Sequence, residues 1–249
     1  MSADQVPSGA SATTIPTSQA GGLRAGLPLG IVLALIGGGL SWGLIQRFDP
    51  VFLVPEEFHI QELGASEERH MRLSAEQSKV DRVNATIDLA LLGALLAGSL
   101  GLAETISRRS VVPVLMALPV GAIFGGLSGL CGFAAFQLCN TGGLLAAVES
   151  AAKVQAAMLA VLGAGVGLAV GLSTFSLRTA ATTTVAGAVG GGFAGLVYPV
   201  VASFVFPVVG TERLIPRGGD NRLLWIELAA ALLALMVIGV GRGKAKACG

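Results

Sequence analysis

Residues 84–104 read NATIDLALLGALLAGSLGLAE, and the one ionisable side chain between Asn84 and Glu104 is Asp88. A hydrocarbon core about 30 Å thick takes roughly 20 apolar residues to cross at 1.5 Å each, which is the length of this stretch. A helix packed on a soluble core keeps one polar face. This one has none, so it reads as a membrane span.

Five further runs have the same character, at 27–46, 111–133, 154–173, 181–206 and 223–242. Of 249 residues, 53% are hydrophobic and only 12% charged, the composition of a membrane protein. The expected fold class is therefore all-α, a polytopic membrane protein of about six transmembrane helices. The run 27–46 is too long for a signal-peptide core and is followed by Arg47 and Phe48 rather than by small residues, so it is expected to remain as an anchor. Residues 1–26, rich in Ser, Thr, Ala, Gly and Pro, have no apolar periodicity to offset the entropy of ordering, and read as a disordered tail.

The sizeable polar stretch is 47–83. It opens with Asp49-Pro50 and Val54-Pro55, which favour extended or turn backbone. From Ser66 the pattern turns helical: Ser66 can cap, Glu67 and Glu68 suit a first turn, and Glu68 and Arg72 are spaced for an i,i+4 pair. The second span is thus expected to begin outside the bilayer and to project about 27 Å from it. Six spans put both termini on one side. The short connectors there carry Arg108, Arg109, Arg178, Arg242, Lys244 and Lys246 against Glu104, which by the positive-inside rule makes both termini cytoplasmic.

The chain also echoes itself. Leu89-Ala90-Leu91-Leu92-Gly93-Ala94 aligns with Leu159-Ala160-Val161-Leu162-Gly163-Ala164, and Gly101-Leu102 follows onto Gly171-Leu172 without a gap. Gly121-Ala122 aligns with Gly187-Ala188, and Gly125-Gly126-Leu127-Ser128-Gly129-Leu130 with Gly191-Gly192-Phe193-Ala194-Gly195-Leu196. Weaker echoes join Gly38-Gly39-Leu40-Ser41 to the third span and Ile226-Glu227-Leu228-Ala229 to Ile87-Asp88-Leu89-Ala90. Matching spans run the same way, so the expectation is parallel two-helix internal repeats. Abundant Gly, Ala and Leu is the competing explanation.

Glycine recurs every fourth residue as Gly121/Gly125/Gly129, Gly163/Gly167/Gly171 and Gly187/Gly191/Gly195. In lipid, where apolar burial does not drive association, such stripes let helix backbones approach. They read as the seams of a glycine-packed bundle rather than as a pore lining or a phosphate loop, which needs a preceding strand. A leucine at Gly125, Gly167 or Gly191 is accordingly expected to overpack a seam. Pro113, Pro119, Pro199 and Pro207 fall in or beside spans three and five, where proline bends helices.

Few residues invite chemistry. Asp88 and Glu227 each lie about one turn inside the end of a span remote from the termini, where an acid must be paired, hydrated or protonated. They are the candidates for an ion or proton relay; the plainer reading is an interfacial carboxylate, hydrated by headgroup water or paired with Arg82 or Arg222. Glu149 and Lys153 are spaced as a surface i,i+4 pair. His59 and His70 match no metal spacing, Cys131 and Cys139 are too far apart on one helix for a disulfide, and Cys248 stands alone. No nucleophile, metal or cofactor motif emerges. Sixteen basic against fifteen acidic residues give no field for nucleic acid.

The functional expectation is a non-catalytic accessory or scaffold subunit that sits in the lipid bilayer with other membrane-protein subunits and offers 47–83 as its contact surface. The alternative is a small transporter or channel using Asp88 and Glu227. A water-accessible cavity lined by either acid would favour the alternative, and a dry bundle the scaffold.

Overall fold

The computed structural model describes residues 26–53, 67–139, 144–206, 214–216 and 218–247, with the side chains of 70, 144–148 and 242–247 outside the description. The tail before Gly26, Ser66, His59, Pro207, Cys248 and the side chains of His70, Arg242, Lys244 and Lys246 thus lie outside it.

Among the described residues six helices follow in order: α1 Leu27–Phe48, α2 Glu67–Arg108, α3 Val112–Cys139, α4 Leu144–Leu172, α5 Leu177–Val205 and α6 Gly219–Ala247. All six are long and apolar enough to cross a membrane, and the described residues contain no strand. The protein is an all-helical, multi-pass membrane protein.

Helix α2 has 42 residues, about 63 Å of helix. Its polar first part, residues 67–83, buries none of its described side chains. Local pairs carry this stretch, as an all-polar helix requires: Arg72 to Glu68 at 2.6 Å, Lys79 to Glu76 at 3.7 Å, and Ser78 Oγ donating to the Ser74 carbonyl.

The helices outrun the expected spans where polar residues are helix-compatible. Helix α4 begins ten residues before the expected 154, at Leu144, because Glu149 and Lys153 pair at 2.6 Å within the helix. Helix α5 begins at Leu177, where the Ser176 hydroxyl accepts from the Thr179 N–H at 3.3 Å and caps the first turn. Pro113 sits in the first turn of α3, where no N–H is missed, while Pro119 and Pro199 lie inside α3 and α5.

Each helix packs on the next in the chain, α1 closes against both α6 and α2, and α4 touches α2 and α6. Burial divides the set. Helices α2, α4 and α6 supply most of the large core side chains, among them Leu89, Leu92, Leu96, Met158, Leu162, Trp225 and Leu233, with Tyr198 of α5 and Ile45 of α1 added to them. Helices α1, α3 and α5 bury mainly Gly, Ala and Ser and turn Ile36, Leu40, Ile123, Leu127, Val189 and Phe193 outward. Outward apolar side chains are what a lipid-facing helix requires.

All nine glycines of the three stripes are buried. A Cβ on Gly93 would strike the Gly121 carbonyl and one on Gly121 the Gly93 carbonyl; Gly163 and Gly187 stand in the same reciprocal relation. A Cβ on Gly125 would meet the Leu89 carbonyl, and one on Gly191 the Leu159 carbonyl.

Elsewhere along the stripes the facing residue is not a glycine. A Cβ on Gly167 would strike the Thr183 carbonyl of α5, and one on Gly171 the Thr183 hydroxyl and the Ala180 backbone. Gly129 likewise abuts the backbone of Thr86, and Gly195 that of Gln155. The α4 stripe therefore meets glycine at Gly163 but a threonine at Gly167, whose buried hydroxyl is turned back onto the Thr179 carbonyl at 2.8 Å. Sequence spacing alone pairs stripe with stripe and misses this threonine contact.

Candidate functional site

With α2 extended at its N-terminal end, the bundle has an extension end, holding 49–53, 67–88, 133–139 and 214–222, and a terminal end, holding Leu27 and Arg108. At the extension end α1 passes into an irregular segment, and two interactions fix where it goes. The Phe52 N–H donates to Asn84 Oδ1 and Asn84 Nδ2 donates to the Phe52 carbonyl, both at 2.9 Å. Arg222 Nη2 donates to Asp49 Oδ2 at 2.7 Å, and Arg222 Nε to the Pro216 carbonyl at 3.2 Å. The segment after α1 is thereby held to α2 and α6, away from α3.

Between these elements lies a cavity of about 370 Å³. Asp49, Pro50 and Arg222 form one wall; Phe133, Phe136 and Gln137 of α3 form another. Ser78, Asp81, Asn84, Ala85 and Asp88 line it along α2, with Leu214 and Ile215 completing it. The mouth residues Ser78, Asp81 and Gln137 are exposed, whereas Asp88, seven residues and so about 10 Å further along α2, is only 5% exposed.

The Asp88 carboxylate receives no hydrogen bond or ion pair from any described residue. Both arginines considered as its partners are occupied: Arg222 by Asp49, and Arg82 over the Phe133 ring, 5.3 Å from its centroid. A carboxylate so deep needs water, a proton or a bound cation. Glu227, the other candidate, does not line the cavity. It is half-buried on α6 with its Oε1 facing Gly38 and Gly39 of α1, so the two acids sit in different places.

Beside the cavity, α4, α5 and α6 are joined by buried polar side chains that do not stand out in the sequence. Trp225 Nε1 donates to Gln155 Oε1 at 2.9 Å, Gln155 Nε2 donates to the Leu214 carbonyl at 2.9 Å, and the Tyr198 hydroxyl pairs with Asn221 Oδ1 at 2.8 Å. Asn84, Gln155 and Asn221 sit at span borders, where a polar residue looks like the end of a span. At the terminal end Glu104 is 1% exposed and accepts from Arg108 Nε at 2.9 Å.

Among the described residues no three His, Cys, Asp or Glu side chains are grouped to hold a metal ion. Cys131 and Cys139, half-buried on α3, are not joined in a disulfide. No known protein family, curated protein or solved structure matches the chain.

Proposed function

We propose that this protein is a small membrane transporter whose solute site is the cavity at the extension end. The observation that carries this is Asp88, a carboxylate 5% exposed and without a hydrogen-bond or ion-pair partner among the described residues, beside a cavity of about 370 Å³. That volume lies in the range of small-molecule sites. An accessory subunit has no use for an uncompensated acid at this depth, because its burial is costly and any apolar residue would remove the cost. Glu227 is left out of the site.

The reading extends to architecture and orientation. The reciprocal Gly93/Gly121 and Gly163/Gly187 approaches, and the matching Gly125 and Gly191 seats on the carbonyls of Leu89 and Leu159, support a glycine-packed bundle in which α2–α3 and α4–α5 are parallel internal repeats. Gly167 belongs to the same seam through its seat on the Thr183 carbonyl. Helix α6 followed by α1 makes the third pair, supported by their contact and by the closure of α1 onto α2. Repeats about an axis along the membrane normal can rock against one another, as alternating access requires. The Arg and Lys bias of the short connectors supports cytoplasmic termini and hence a cavity that opens outward.

One observation favours the accessory-subunit reading: residues 67–83 present a polar helix that buries none of its described side chains.

Solvent access separates the two. In a variant lacking the three native cysteines, Ala85→Cys should react with a small membrane-impermeant thiol reagent in reconstituted vesicles, and Leu162→Cys, deep in the core, should not. Equal protection of both positions would make the bundle dry and favour the accessory subunit.

A further inference from the structure

We infer that the solute is a small monovalent organic cation, an amine with an apolar body, bound with its charged end at Asp88; this rests on the cavity being the solute site. Three acids and one base line the cavity. Arg222 is committed to Asp49 at 2.7 Å and to the Pro216 carbonyl, so the pair contributes little net field. Asp88 and Asp81 are left as the effective charges, and both are negative. An anionic solute would meet repulsion, and among the described lining residues no base is left uncommitted to offset it.

Inorganic cations fit poorly. A hard cation needs several oxygens at about 2–2.6 Å around one point. Asp81 and Asp88 are about 10 Å apart along α2 and cannot close on a single ion, and the Asn84 amide oxygen is spent on the Phe52 N–H. Beside its polar groups the cavity is lined by six apolar residues, Pro50, Ala85, Phe133, Phe136, Leu214 and Ile215. That lining matches a hydrocarbon or aromatic body, with the rings available for contacts to an alkylated ammonium group. Asp81, exposed at the mouth, would draw a cation toward the opening.

The chemistry needs no covalent step. The ammonium group donates to the Asp88 carboxylate, supplying the ion pair that no described side chain makes with it, while the body displaces water from the apolar wall. A charge-assisted hydrogen bond in a dry site accounts for about 10- to 100-fold in affinity. A neutral isostere should lose that factor.

Isothermal titration of the full chain in nanodiscs would use phenethylamine, tetraethylammonium, phenethyl alcohol, phenylacetate and sodium chloride as probes. Phenethylamine should bind, the alcohol about 10- to 100-fold more weakly, tetraethylammonium, which has no N–H to donate, more weakly than the amine, and phenylacetate not at all. Asp88→Asn should lose the cation preference. Asp220→Asn, which removes an exposed acid at the same end outside the lining, should keep it. Equal binding of amine and alcohol, an unaffected Asp88→Asn variant, or binding of sodium that excludes the amine would each overturn the assignment. If Ala85→Cys is accessible and the amine fails to bind, the solute class is wrong and the cavity reading stands; if Ala85→Cys is protected, both fall.

Discussion

Asn84 and Phe52 exchange two hydrogen bonds of 2.9 Å, so one side chain of α2 grips both polar groups of a backbone unit beyond α1. This grip, with the Arg222–Asp49 pair, holds the wall that carries Asp49 and Pro50. Phe52 is exposed, so water can replace the lost partners, and Asn84→Ala should cost only about 1 kcal/mol of stability. Amine affinity should fall roughly fivefold as the wall loosens. Thermal melting and titration of the same preparation check both; unchanged affinity would remove the Asp49–Pro50 segment from the site.

Glycine substitutions should differ in sign according to what a Cβ would meet. At Gly125, Gly167 and Gly191 it would strike the carbonyls of Leu89, Thr183 and Leu159, so alanine there should destabilise by about 1–3 kcal/mol. At Gly43 and Gly239 nothing lies within 4 Å, and alanine should leave stability unchanged or raise it by up to about 1 kcal/mol through helix propensity. Melting temperatures in one detergent compare all five. Matching losses at Gly125 and Gly191 would add support for the repeat, and mild effects at all three seam positions would refute the seam account.

The six spans were legible because lipid demands long apolar runs, and the helix beginning at Glu67 was legible from its acids and the Glu68–Arg72 spacing. Helix ends were less so. Connector residues such as Glu149 and Lys153, or Arg178 and Thr179, stop an apolar run without stopping a helix. Of the site, Asp88 could be singled out because an acid in a span is rare. Its setting could not, since nothing in the sequence says that Arg222 answers Asp49, or that Asn84 holds the Phe52 backbone from 32 residues away. The same holds for Gly167, whose spacing marks it as a contact but does not name Thr183 as what it touches. Glu227, in the same local context Ile-Glu-Leu-Ala, faces the glycines of α1. Local sequence sets depth in the membrane, and tertiary packing sets what the side chain meets.

The buried amide of Gln155 serves two partners, so its removal should cost more than one hydrogen bond. Gln155→Leu would leave the Trp225 N–H and the Leu214 carbonyl without their partner, at about 1–3 kcal/mol for each group left buried. In a Trp42→Phe background, the Trp225 emission should move to shorter wavelength as its N–H loses its acceptor, and the melting temperature should fall. Unaltered emission would mean that the indole N–H finds another partner.

If Asp88 is kept for a solute and not for the fold, the melting temperature of Asp88→Asn with and without phenethylamine separates the two roles. Neutralising an acid that is 5% exposed and has no partner among the described residues should stabilise the solute-free protein by about 1–3 kcal/mol. Saturating amine should then reverse the order, raising the wild-type melting temperature above that of the variant. A variant that melts below wild type without amine, with both shifted equally when amine is added, would show that Asp88 supports the fold and would contradict the account.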